Sequence, residues 1–372
     1  MQPFKLERYF AQYEFSAPYL LSASDCESLR LDELLALAGP EERRLWDELS
    51  LGYTESAGHP QLRQAVVQAL YPSLDAQDVL VMAPEEAIFV FMHSLLTAGD
   101  EVVAQVPAYQ SLHEVARSIG CPVRPWALRL GPAGWGVDLE ALEGLLGPKT
   151  RLLVLNFPHN PTGCLPAPAE FAAILALAGR RGIPVFSDEM YRLLEYDPAR
   201  RLPPACEAYE LGISLGGMSK ALALPGLRIG WLGTRIPGLL AKCQAYRDYI
   251  TICSSAPSEI LALIGLEARG RILERSLGII KPNLALAGEF FGRHAALFRW
   301  LPPQAGSVAF PQWLGPGSVE ELCRRMVERQ GVMVVPGSMF DADGPHFRLG
   351  LGRRSFGEAL ERVEKELAHG AR

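Results

Sequence analysis

The sequence predicts an α/β protein: a large domain with a mainly parallel sheet sandwiched by helices, plus a smaller α+β domain. Three observations predict it. Short apolar runs alternate with helical patterns through the middle of the 372 residues. The runs have the apolar character of strands covered on both faces. No repeat, low-complexity tract or long polar linker interrupts the chain. Residues 100–106 (DEVVAQV), 151–156 (RLLVLN), 183–187 (IPVFS) and 229–233 (IGWLG) read as strands. Residues 111–118 and 168–180, with apolar positions three and four apart, read as the helices between them. Helical character resumes at 258 and runs to about 298. It is followed by strand-like stretches at 332–335 and 347–351 and a closing helix from 355. The large domain is expected over 46–272, and the smaller one from 1–45 together with 273–372.

Bulk composition removes several classes of function. A net charge of −6 gives no electrostatic reason to bind nucleic acid or an anionic membrane. The most apolar stretch, 87–99, is shorter than the roughly 20 residues a spanning helix needs. The opening MQPFKLERYF has no apolar signal region, so a cytoplasmic protein is expected. Seven scattered cysteines show neither C-x-x-C nor zinc-ligand spacing and read as reduced, mostly buried thiols.

Chemistry concentrates after three of the runs, where ligands bind in open α/β sheets. Asn156-Phe157-Pro158-His159-Asn160-Pro161-Thr162-Gly163 stops its strand abruptly and holds Asn160 on a rigid turn. Ser187-Asp188-Glu189-Met190-Tyr191 puts a carboxylate at a buried strand end. Desolvation there is unfavourable unless a cation sits opposite, although a helix cap is the simpler use of an aspartate. In Gly216-Gly217-Met218-Ser219-Lys220, continuing to Arg228, a lysine stands among small and apolar residues. A desolvated lysine becomes a nucleophile able to form a Schiff base, whereas most lysines merely reach to the surface.

In combination, N-x-P-x-N-P-T-G, D-E-x-Y and S-K-x₄-P-G-x-R-x-G-W resemble the class I/II aminotransferases of the aspartate aminotransferase-like fold, pyridoxal phosphate (PLP) fold type I. Asp188 lies 28 residues after Asn160, and Lys220 lies 32 after Asp188. The resemblance covers about 53–348, and the openings 4–21 and 83–89 are similar to the branch of capreomycidine synthase-like proteins. It implies that Lys220 carries pyridoxal 5'-phosphate as an internal aldimine and shuttles the Cα proton. It further implies that Asp188 pairs with the pyridinium nitrogen, and that Tyr191 and Asn160 bond the phenolic oxygen. Tyr109 then stacks on the ring, Ser219 and Arg228 hold the phosphate, and Arg348 grips the substrate α-carboxylate. Tyr53 matches a tyrosine that reaches the neighbouring subunit's phosphate, which implies a homodimer with shared sites acting on amino acids and 2-oxo acids.

Three departures from that pattern are visible. The family places serine or threonine three residues before the lysine, where this chain has Gly217. The glycine-led anion turn is replaced by Ala83-Pro84-Glu85-Glu86; Pro84 lacks an N–H, and Glu85 brings a negative charge to the phosphate cup. The glycine-containing substrate loop is replaced by residues 20–25 (LLSASD). A PLP-dependent lyase or cyclase acting on a β- or γ-substituted amino acid is the alternative to transamination, because both begin by deprotonating Cα. The pattern Gly212-Ile213-Ser214-Leu215-Gly216 also fits the nucleophile elbow of serine hydrolases, which requires a strand, a sharp turn and a helix. Thr251, Ser254 and Ser255 are further candidates for the substrate wall.

Overall fold

The computed structural model describes residues 1–131 and 134–370. Its central sheet contains β1 (Val79–Met82), β2 (Glu101–Val106), β3 (Val123–Ala127), β4 (Thr150–Asn156), β5 (Val185–Asp188), β6 (Gly212–Gly217) and β7 (Gly230–Thr234). Their spatial order is β1-β7-β6-β5-β4-β2-β3. Strands β2 to β6 pair in parallel. Strand β7 runs antiparallel to both β1 and β6. All four strands expected from the apolar runs are present within a residue or two. Three more escaped the reading. β1 has four residues, too short to show a period. β3 contains Arg124 and Pro125, which its place at the sheet edge tolerates. β6 carries three glycines and reads as a turn.

The parallel pairing of β4, β5 and β6 decides where the chemistry sits. Adjacent parallel strands end at the same edge of a sheet. Here Asn156 lies opposite Asp188, and Asp188 opposite Leu215. The three unusual polar segments therefore leave the sheet side by side. Helices cover its faces, among them α2 (Pro84–Leu95) and α3 (Ser111–Ile119), while α1 (Lys5–Tyr13) packs on Phe310, Val335 and Phe340 beyond the sheet. Helix α2 starts on Pro84, whose fixed φ suits the first turn, with Glu85 and Glu86 beside the positive end of the helix dipole. Helix α3 stops at Gly120, left-handed with φ 97°.

The helical run expected from 258 to about 298 is two helices, Ala256–Glu267 and Arg269–Arg293, hinged at Ala268. Phe298–Arg299 beyond them pairs as a strand with Gln312–Trp313. A second sheet places β10 (Phe347–Gly350) between β8 (Val308–Ala309) and β9 (Val335–Pro336). Only Val335 of the stretch expected at 332–335 joins it, while Val332 makes an isolated bridge to Tyr19. Backbone bonds from Tyr19 to Gly331 (3.1 Å) and from Gly350 to Leu21 (2.7 Å) lay residues 19–25 along this sheet. No described helix is long and apolar enough to cross a membrane. All seven thiols are free, and six are buried.

Two of the sequence departures occupy the same space. A Cβ on Gly217 would lie 3.1 Å from Pro84 Cγ and 3.0 Å from Met190 Cε. A Cβ on Gly230, across the β6–β7 pair, would meet Pro84 Cγ at 2.8 Å and the Gly216 carbonyl oxygen at 2.6 Å. The proline ring thus rests on bare backbone, and a serine at 217 would crowd it. Gly217→Ser is expected to lower unfolding free energy by about 1–3 kcal/mol through overpacking. In a Pro84→Ala background the loss should shrink by at least ~0.5 kcal/mol, the signature of contacting sites. Urea unfolding of the two singles and the double checks this, and strict additivity would refute the shared-space explanation.

Candidate active site

Outside the carboxyl ends of β4, β5 and β6 lies a cavity of about 160 Å³. It is lined by nine of the ten residues singled out in the sequence: Glu85, Tyr109, Asn160, Asp188, Tyr191, Ser219, Lys220, Arg228 and Arg348. The exception is Tyr53, which is 91% exposed and borders a separate groove near Thr54 and His59.

Lys220 stands in a tight loop between β6 and β7. Met218 N–H bonds the Ile229 carbonyl and Leu224 N–H bonds the Met218 carbonyl, each at 3.0 Å. Two non-glycine residues of this loop, Ala223 and Arg228, are left-handed with φ 53° and 56°, conformations that persist only where surrounding structure imposes them. The Lys220 residue keeps part of its surface exposed, yet its amine is desolvated and its pKa is lowered. Nζ donates to Ser24 Oγ at 2.8 Å.

Asp188 closes β5 and is buried. Desolvation pushes its pKa up to about 6, opposed by the Met190 N–H at 3.1 Å and by the charge of Lys220. The expectation that Asp188 might cap a helix is not met, since only turns follow β5. Asn156 organises the neighbouring turn: its side-chain amide donates to the Asp188 carbonyl (2.9 Å), and its Oδ1 accepts from Asn160 N–H (2.8 Å). That turn is locked by Gly163 N–H to the His159 carbonyl (2.7 Å) and by His159 against Thr162 Oγ1 (2.8 Å).

Arg348, at the centre of β10, is 1% exposed. Its Nε donates to the Ser22 carbonyl and its Nη1 to Asn160 Oδ1, both at 3.1 Å. The guanidinium lies 5.0 Å from the Phe340 ring centre and 5.7 Å from that of Phe10. Among the described residues no carboxylate pairs with it; Asp25, close by in sequence to Ser22, is held by Arg353 at 2.9 Å instead. Its Nη2 has no partner, nor have the buried hydroxyls of Tyr191 and Ser219. Three orphaned polar groups on one cavity fit a ligand carrying acceptors at three places. At the opposite end Ser111 Oγ donates to Glu85 (3.1 Å), and Tyr109 Oη donates to Glu7 (3.1 Å).

Several lining residues were not anticipated. Leu6, Glu7 and Phe10 come from α1, which lies across the cavity, and Ser24 comes from the stretch that replaces the glycine loop. The only sequence signal for α1 was Leu6 and Phe10 four residues apart. Thr251, Ser254 and Ser255 do not line this cavity in the single chain. Thr251 bonds Glu86, and Ser254 accepts from Arg247 at 2.9 Å. Ser214 is fully buried in mid-strand, bonded to Glu189 (2.8 Å) and Cys206 N–H (3.0 Å), so it forms no nucleophile elbow.

Comparison with known proteins agrees with this geometry. The family model described as aminotransferase class I and II matches residues 21–356. Capreomycidine synthase of Streptomyces vinaceus is 31% identical over 371 residues, 99% of this chain and 94% of that one. The arginine–pyruvate transaminase of Pseudomonas aeruginosa is 29% identical over 325 residues, 84% of this chain and 81% of that one. Among solved structures, a PLP-dependent aminotransferase from Streptococcus suis superposes with a TM-score of 0.90 at 28% identity, covering 99% and 97% of the two chains. The PLP-dependent cyclase OrfR also gives 0.90, at 27% identity and covering 100% and 98%. The chain belongs to the aminotransferase class I and II family, with PLP fold type I architecture, and is a transferase dependent on pyridoxal 5'-phosphate.

Proposed function

We propose that this protein transfers the α-amino group of an amino acid to a 2-oxo acid, with Lys220 as the attachment point of the cofactor. One observation carries the reading: a desolvated amine, a buried carboxyl and a buried guanidinium without an anion converge on one cavity. Pyridoxal phosphate supplies an electron sink for the pair left when the Cα–H bond breaks. Lys220, its pKa lowered by burial, takes that proton at Nζ and returns it, held in place by Ser24 Oγ. Asp188 regains its full charge only opposite a cation, so it suits a protonated ring nitrogen. Asn160 and Tyr191 bond the phenolic oxygen, Tyr109 packs on the ring, and Ser219 and Arg228 hold the phosphate, with Glu85 at the same end. Arg348 takes the substrate carboxylate through its free Nη2 and its planar fork.

The active unit in this proposal is a homodimer with shared sites, in the cytoplasm, where its free thiols stay reduced. Leu51, Tyr53 and Tyr249 are 86%, 91% and 94% exposed, an unusual display of large side chains for a surface that faces only water. The two chain ends, 1–45 and 273–372, are taken as the smaller domain. A second reading is favoured by the full-length likeness to capreomycidine synthase and to a cyclase: a lyase or cyclase acting on a β- or γ-substituted amino acid. Formation of a 2-oxo acid from plain amino acids supports transamination, whereas release of ammonia or an altered carbon skeleton supports the second reading.

Lys220→Ala should reduce turnover at least ~10³-fold, the scale of losing a positioned acid–base group, and should abolish the visible absorbance of the bound cofactor. Wild-type absorbance that survives in the variant would refute the assignment. Arg348→Lys, which keeps the charge but loses the fork, should lower kcat/KM for amino acids about 10–100-fold. It should leave amines that lack a carboxylate unaffected. Equal losses for both substrates would show that Arg348 is structural. Mixing inactive Tyr53→Phe and Lys220→Ala protomers should restore about a quarter of wild-type activity, since half the dimers then carry one intact site. No recovery in demonstrated mixed dimers would remove Tyr53 from the shared site.

A further inference from the structure

The end of the cavity assigned to phosphate carries a carboxylate that has no obvious place there. Helix α2 begins with two acids, and they are treated differently. Glu86 is satisfied: Thr251 donates to it, and the Arg247 Nε lies 3.4 Å away. Glu85 forms no ion pair among the described residues, and its hydrogen bond is the 3.1 Å contact from Ser111 Oγ. It lines the cavity with Ser219 and Arg228, and the Ser219 hydroxyl is buried and unpartnered. The donors expected at this end are depleted. Pro84 has no N–H, and Gly217 has no hydroxyl and no room for one while the proline ring lies 3.1 Å from its Cβ position. A phosphate dianion seated here lacks those two donors, and an ionised Glu85 beside it repels it. Protonated, the same group becomes an O–H donor at the place where two are missing.

We propose that Glu85 is a neutral acid in the cofactor-bound protein, so that seating the phosphate takes up one proton at the Glu85 carboxyl. The inference rests on the assignment of this end of the cavity to phosphate. Burial is the largest influence favouring it, and the charges of Glu7 on α1 and Asp188 on β5 also oppose ionisation; the Ser111 hydroxyl on α3, the Arg228 charge and the first turn of α2 act the other way. Tyr109, whose hydroxyl is committed to Glu7, completes the enclosure. Even in the free protein, burial raises this carboxyl to about 7. The sign follows directly. Below that value Glu85 already holds its proton; above it, binding must first add one, so affinity falls by up to tenfold per pH unit.

The test uses apoprotein with pyridoxamine 5'-phosphate, whose phosphate is fully ionised above about pH 7, and unphosphorylated pyridoxamine as control. Calorimetry in two buffers of different ionisation enthalpy counts the protons taken up. For wild type at about pH 8.5, the phosphate ester should take up close to one proton more than pyridoxamine. The ratio of wild-type to Glu85→Gln Kd should rise roughly tenfold per pH unit above about 7 and level off below about 6. Equal proton counts and a flat ratio, with the phosphate still strengthening binding tenfold or more, would overturn proton uptake alone. If pyridoxamine binds as tightly as its phosphate ester, the location of the phosphate end fails as well. The wild-type proton count does not depend on how the variant folds.

Discussion

A guanidinium removed from water without a carboxylate beside it is tolerated only when its hydrogen bonds are otherwise provided. Arg348 meets that demand from two directions. The Ser22 carbonyl comes from the chain's first segment, Asn160 from the turn after β4, and Arg348 itself from the second sheet. The arrangement joins three parts of the chain, far apart in sequence, at one point. It also leaves one nitrogen unspent, aimed into the cavity on which Lys220 and Asp188 converge. One side chain thus ties these parts together and keeps an unpartnered donor at the cavity.

The other fixed element is the run of parallel strands β4, β5 and β6. Because a parallel register aligns strand ends, three motifs separated by tens of residues in sequence become neighbours. The geometry tolerates change around it. Where Pro84 replaces a flexible turn, glycines at 217 and 230 give up side-chain volume to receive the ring. A substitution that is awkward in isolation is therefore one part of a matched set, and the helix it opens keeps both its place and its dipole.

Much of this was legible in the sequence because the signals were local. Strands β2, β4, β5 and β7 were marked by apolar runs, and the motif residues by their spacing. Nine of the ten candidate residues reach one cavity for that reason. What was not legible has physical causes. Strand β6 is hidden by its glycines, β1 by its brevity, and the antiparallel direction of β7 by the fact that a side-chain period carries no sign. The contributions of Glu7 and Ser24 depend on α1 and residues 19–25 folding back over the sheet, and no pattern within those segments encodes their destination. Tyr53 is exposed and lies away from the cavity, beside a separate groove.

The bonds that close the cavity span nearly the whole chain. Ser22 reaches Arg348, Ser24 accepts from Ser307 Oγ at 2.5 Å, and Met333 N–H bonds the Tyr19 carbonyl at 2.8 Å. On the ribosome the sheet strands emerge in sequence, β1 waiting for β7 before it can pair, while the opening segment waits for partners made last. A nascent chain that ends between Thr234 and Arg348 has every strand of the central sheet and no finished site. The cavity is assembled only once the late sheet exists for the opening segment to join.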